Sequence, residues 1–154
     1  MNASVDAQAL VNEWLAALGR ATGLRLRLDE EGVCGIGHAS GVDCAIEVPE
    51  GGDSLYLRAP LMPWPGRHPL RMAERCLEAQ FLGLATQGAS FAIDPRDSEL
   101  VLWQCVPLAV LDGDALARRV TGFLELAARW REDLLAADGP SRAGRQPMPW
   151  IAGA

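Results

Sequence analysis

Between Ala7 and Leu18 the apolar residues Ala7, Leu10, Val11, Trp14, Leu15 and Leu18 recur at steps of three and four, the spacing that lines one face of an α-helix. Ser4 or Asp6 can cap its start, and Gly19 or Gly23 its end, because glycine tolerates the left-handed conformation of a helix exit. The period then changes. Leu24-Arg25-Leu26-Arg27-Leu28 alternates strictly, which predicts a short strand or an extended lead, and Asp29-Glu30-Glu31-Gly32 turns it. Val33–Ile36, Val42–Val48 and Leu55–Ala59 read as further strands. The turns at Ser40-Gly41 and at Pro49–Asp53 are short, which favours antiparallel neighbours, since parallel pairing needs a crossover of about a dozen residues.

Pro60–Pro69 reads as a connecting loop, because each proline lacks an amide hydrogen and restricts the residue before it. Helical spacing resumes with Leu70, Ala73, Leu77, Phe81 and Leu84 on one side, while Met72, Cys76 and Ala79 widen the stripe. A stripe this wide predicts burial on two sides, against the domain's own sheet and against a second subunit. Ala89–Ile93 and Leu100–Val106 flank the turn-rich Asp94-Pro95-Arg96-Asp97-Ser98 and read as a hairpin. From Asp112 to Leu135 a long helix carries Leu116, Val120, Phe123, Ala127, Trp130 and Leu134 on one face, with Asp112 or Asp114 near its positive end. The expected architecture is α+β, an antiparallel twisted sheet flanked by three helices in the order helix, strands, helix, hairpin, helix. One domain should span residues 1–137, with 138–154 a flexible tail rich in proline and glycine.

Composition narrows the class of function. At 154 residues, with 49% hydrophobic and 22% charged residues, the chain is that of one folded domain. Its net charge is -6 and lysine is absent, so all the positive charge sits on scattered arginines. That argues against nucleic acid, which needs a basic face to displace counterions, and against an anionic membrane surface. The start, Met1-Asn2-Ala3-Ser4-Val5-Asp6, lacks the charged and apolar regions of a secretory signal, and no apolar run approaches the roughly 20 residues of a membrane span. A cytoplasmic location is expected.

Chemistry finds little purchase. Cys34, Cys44, Cys76 and Cys105 stand far apart in apolar contexts, without metal-ligand spacing, and read as reduced packing residues. Gly32-Val33-Cys34-Gly35-Ile36-Gly37 lies among strands rather than opening a helix, so its glycines read as bends, not as a dinucleotide fingerprint. Asp29-Glu30-Glu31 reads as a solvated turn. A small enzyme pairing His38 or His68 with a cysteine is one alternative, and it demands a pocket that gathers them. No catalytic residue, cofactor or metal is expected. Of the tryptophans, Trp64 and Trp150 are the ones with a claim to a partner surface, since tryptophan is enriched at interface hot spots.

Taken in order, the chain resembles the class I chaperones of bacterial type III secretion, the Tir-chaperone-like family, from about Leu10 to Leu135. The segments that carry the resemblance are Gly23–Asp29, Leu77-Glu78-Ala79-Gln80, Gly88–Asp94 and the passage from Pro107-Leu108 through Leu111-Asp112 into the last helix; Gln80 stands where many of the family carry Asn. The resemblance implies a cytoplasmic homodimer that keeps the N-terminal segment of a secreted effector extended, soluble and secretion-competent. It also implies delivery to the secretion apparatus, with the system's ATPase as a further partner, and no catalytic step. It places effector-binding grooves along the first helix and early sheet, for which Leu10, Trp14, Leu18, Leu24, Leu26, Val33, Ile36, Cys44 and Ile46 are the candidates. The dimer interface is expected on Met72, Cys76, Ala79, Gln80, Ala89, Phe91 and Ile93. A non-enzymatic adaptor or regulatory α+β domain that binds a folded partner is the other reading.

Overall fold

The computed structural model describes residues 6–140. Helix α1 (Ala7–Thr22) starts where the Asp6 carboxylate accepts the N–H groups of Gln8 and Ala9, and ends at Gly23, whose φ of 74° is the left-handed exit. The alternating lead that follows is extended but belongs to no sheet ladder. Leu26 and Leu28 turn inward, Leu24, Arg25 and Arg27 outward, and the Leu28 N–H is donated to Asn12 Oδ1 of α1 at 2.9 Å.

Strands β1 (Val33–Gly37), β2 (Asp43–Glu47), β3 (Ser54–Pro63), β4 (Ser90–Asp94) and β5 (Glu99–Pro107) form one antiparallel sheet in the order β1-β2-β3-β5-β4. β3 runs through Pro60 to Pro63, four residues further than the expected loop boundary at Ala59, and this corrects the reading of Pro60–Pro69. The reason is local. β2 last pairs with β3 at Ala45 opposite Arg58, so beyond that point β3 has β5 on one side only, the setting in which a strand tolerates proline.

Helix α2 (Pro69–Gln80) is shorter than its apolar spacing implies. A turn of 3-10 helix follows at Phe81–Gly83, and Leu82 takes the left-handed conformation at φ 57°, so Leu84 is not on the helix. The Phe91 N–H is donated to Gln80 Oε1, which ties the end of α2 to β4. Helix α3 (Gly113–Asp138) is capped by the Asp112 carboxylate on the Ala115 N–H at 2.7 Å.

The side chains of one sheet face meet the helices. Cys34, Ile36, Cys44, Ile46, Leu55, Leu57, Ala59 and Leu102 share that face by register, and α3 lies over β3 with Leu116, Val120, Phe123, Ala127 and Leu134 buried. α1 packs on one flank of α3, and the extended lead folds back so closely on α1 that Gly19 admits no side chain: a Cβ there would stand 2.5 Å from the Leu24 carbonyl oxygen. α2 is tied to the far end of α3 by the two-pronged Arg75–Asp133 ion pair and by Arg71 Nη1 donating to the Ala137 carbonyl. The helix thus runs one residue past the expected domain limit, to Asp138. Residues 141–154, with Trp150, lie outside the described residues.

Asp138 closes this end of the fold. Its Oδ1 accepts the N–H groups of Arg67 and His68, both at 2.8 Å, immediately before α2, where His68 offers no capping side chain of its own. The Arg67 N–H chiefly, with that of His68, holds the Asp138 carboxyl below its ordinary value against the opposing effect of burial. A carboxylate depressed in this way contributes stability above its unfolded pKa of about 3.9, and the contribution fades as pH falls through that value toward the folded one. Asp138→Ala is therefore expected to lower stability by about 1 kcal/mol at neutral pH. Denaturant titrations of both proteins from neutral to acid pH should show the gap narrowing as pH falls below 4; a gap that stays constant would contradict the charge dependence.

Candidate protein-binding site

Among the described residues nine large apolar side chains are exposed, and six of them belong to α2, the turn after it and the neighbouring β4. Leu70 and Leu77 project from α2, Phe81 (72% exposed), Leu82 and Leu84 (79% exposed) from the turn after it, and Ile93 from β4. The turn that presents them is held from behind. Trp130 Nε1 of α3 donates to the Ala85 carbonyl at 3.3 Å, and the Trp130 ring meets Phe91 edge to face at 5.1 Å. An apolar cluster on a rigid support is the surface expected of a protein interface, since monomers rarely leave such patches in water.

The expected interface residues divide. Met72, Cys76, Ala79 and Ala89 are buried in the chain's own core, which corrects their assignment to a surface. α2 does carry two apolar stripes, but the inner one is Met72-Cys76-Ala79 and the outer one Leu70-Leu77-Phe81. Gln80 and Phe91 are partly buried beneath the cluster and Ile93 is half-exposed within it. Leu82 and Leu84 did not figure among the expected interface residues. The signal for them was the run Phe81-Leu82-Gly83-Leu84, in which consecutive apolar residues cannot share one helical stripe.

The second group divides as well. Leu10, Trp14 and Leu18, at four-residue steps, lie half-buried along one flank of α1, and Leu24, 49% exposed, continues their line past the helix end. Leu26, Ile36, Cys44 and Ile46 belong to the core, where the helices already take up their side chains. Val33 is on the opposite sheet face from Cys34 and Ile36. The structure therefore sets Leu10, Trp14 and Leu18 on one flank of α1, holds Leu24 at the end of that helix through its N–H donated to the Gly19 carbonyl at 3.0 Å, and buries most of the strand residues in the core. β1 pairs with β2 alone; the outward backbone groups of Val33 are taken up by Asp29, so the edge that stays open to a further strand runs from Gly35 to Gly37.

The groups suited to catalysis are scattered. Burial pushes the Cys44 thiol up to about 12 and the Cys76 thiol up to about 11, away from the thiolate a nucleophile requires, and it raises Cys34 too. Cys105, expected to be a packing residue, is exposed on the open sheet face opposite Tyr56. His38 Nδ1 is hydrogen-bonded to Ser40 Oγ at 2.7 Å within its turn. Trp64 is partly buried against the core. Among the described residues no three His, Cys, Asp or Glu side chains gather as a metal site, and no helix is long and apolar enough to cross a membrane.

The model of the Tir chaperone protein (CesT) family matches residues 13–131. The chain belongs to that family. The matched span runs from the middle of α1 to near the end of α3 and includes both apolar surfaces except Leu10. Solved structures with the same fold include the ExsC–ExsE complex (21% identity, 84% of this chain and 97% of that one, TM-score 0.72). The HopA1–SchA chaperone–effector complex is similar at 20% identity, over 82% of this chain and 96% of that one, with a TM-score of 0.65. The ExoU–SpcU heterodimer from the type III secretion system of Pseudomonas aeruginosa follows at 23% identity, 82% and 95% coverage and a TM-score of 0.60. No curated protein matches the sequence.

The two sheet-and-helix environments respond differently to substitution. Ile46→Ala, which empties a fully buried position, is expected to lower stability by about 2–5 kcal/mol, whereas Leu24→Asp should change it by no more than about 0.5 kcal/mol. Equilibrium urea unfolding of the two variants checks this; similar losses would place Leu24 in the core.

Proposed function

We propose that this chain is a type III secretion chaperone that binds the N-terminal segment of an effector, keeps it soluble and secretion-competent, and helps deliver it to the secretion apparatus. The observation that carries the reading is the family match over residues 13–131. The similar folds of a chaperone bound to its effector and of a type III secretion heterodimer support it. On this reading the protein works in the cytoplasm, has no catalytic step, and meets the secretion ATPase as a further partner.

Two separate apolar surfaces suit the two kinds of contact such a protein makes. The cluster of Leu70, Leu77, Phe81, Leu82, Leu84 and Ile93 is assigned to a second copy of the chain, supported from beneath by Met72, Cys76, Ala79, Gln80, Ala89 and Phe91. A two-fold dimer places the same patch on both partners, so a self-complementary apolar cluster needs no opposite charge to match it. The flank of Leu10, Trp14, Leu18 and Leu24, with the open edge of β1, is assigned to the effector. There an extended segment gains main-chain hydrogen bonds from the edge and lodges its apolar side chains against the helix.

Light scattering is expected to give twice the 16.5 kDa chain mass at micromolar concentration, and Leu77→Glu combined with Leu84→Glu to give a folded monomer. A wild-type monomer would count against the pairing. For the effector, a pull-down from the native host should recover a segment that gains amide protection on the complex. Its affinity should fall about tenfold or more in Trp14→Ala combined with Leu24→Asp, and its binding should show a negative heat-capacity change. Unchanged affinity in a folded dimer would remove the α1 flank from the site.

A further inference from the structure

The helix layer is incomplete beside the first three turns of α3. α1 occupies one flank of that helix, and α2 reaches the other flank only near Asp133 and Ala137. In the space left over β5 lies an open trough of about 340 Å³, distinct from both surfaces assigned above.

Its floor is apolar and its walls are polar and cationic. Phe123 and Leu126 are buried at the base, and Val110, 67% exposed, stands at one side. At Gly122 no heavy atom beyond its chain neighbours and the helix's own backbone lies within 4 Å of where a Cβ would be, so the absent side chain leaves the trough open. Gln104 breaks the apolar row that Leu102 and Val106 continue on the helix-facing side of β5, and its Nε2 donates to the Gln87 carbonyl at 3.3 Å across the wall. Arg118 and Arg119 rim the trough, and neither forms an ion pair with a described acid. In a chain with 20 acidic and 14 basic residues, this lining holds two arginines and no carboxylate. β4 last pairs with β5 at Ser90 opposite Trp103, so no strand lies beside β5 from Gln104 onward on that side.

We propose that this trough binds a second stretch of the effector polypeptide, one in which apolar side chains flank an Asp or Glu held by Arg118 and Arg119. The inference rests on the chaperone reading above. The charge selects the occupant: arginine pairs with a carboxylate through two parallel hydrogen bonds, while the apolar floor excludes a purely ionic ligand. A nucleic acid is disfavoured, since two arginines on a protein of net charge -6 release few counterions. The surrounding glutamines give a backbone or side-chain amide its partners, and so fix the segment's register.

The test titrates the full-length, 15N-labelled protein with the capped peptide Leu-Glu-Leu-Leu-Asp-Leu, and with its counterpart in which Gln and Asn replace the two acids. The acidic peptide is expected to shift the amide signals of Gln104, Val110 and residues 115–126. It should bind at least tenfold more tightly than the neutral one, and lose that advantage in Arg118→Gln combined with Arg119→Gln. Gly122→Met, at an open helical position where folding is not endangered, should block both peptides. Shifts that map to the α1 flank or the α2 cluster, or equal affinity for the two peptides, would overturn the proposal. So would displacement of the acidic peptide by a short oligonucleotide, and so would arginine variants that lose self-association, which would mean that a second copy fills the trough. If these results fail while the host effector segment is still captured along α1 and β1, the trough alone is wrong; failure of that capture overturns the chaperone reading.

Discussion

The contact on which the rest of the structure depends is α3 against β3. Leu55, Leu57, Ala59 and Leu61 leave almost nothing of that strand's inner row to solvent, and α3 answers with Leu116, Val120, Phe123, Ala127 and Leu134. β3 is flanked by β2 and β5, and α3 by α1 and α2, so each remaining element is placed by reference to this pair. Burial of this kind stabilises by about 25 cal/mol per Å² of apolar surface. It also fixes register, because a one-residue slip of β3 would turn its whole inner row to water.

Periodicity made most of the elements legible. The steps of three and four in α1 and α3, the turns between β1, β2 and β3, and the hairpin of β4 and β5 follow from residue spacing, because short turns and one-sided burial leave few alternatives. The route of Pro60–Pro63 was hidden, since whether a proline sits in a strand depends on where the neighbouring strand stops. The direction of α2 was hidden too. Met72 and Leu77 are equally apolar, and spacing reveals two stripes without saying which one faces the core. For the candidate site residues the outcome is similar: Leu24 is half-exposed and Trp14 partly so, while Ile46 and Cys44 are consumed by packing, and hydrophobicity alone does not distinguish these fates.

Most of the exposed apolar surface of the described residues lies on α2 and the turn after it, where Arg71, Glu74, Arg75 and Glu78 stand among the leucines. Phe81, Leu82 and Leu84 would favour indiscriminate association, and the net charge of -6 opposes it by mutual repulsion between molecules. Holding Leu82 in the left-handed conformation contributes to the same selectivity, since the apolar side chains are displayed in one fixed arrangement rather than as a loose patch.

The exposed thiol gives the molecule a chemical polarity. Cys34, Cys44 and Cys76 are sealed in the core, whereas Cys105 lies on the bare face of the sheet, in the row that holds the stacked Tyr56 and Trp103. Oxidation would therefore act on that face first and join two molecules back to back through their sheets, with α1 and α2 of both pointing outward. Such a covalent pair would have the mass of a dimer but not the geometry of the dimer proposed through α2, so a reducing medium keeps the proposed assembly distinct from the one that air would make.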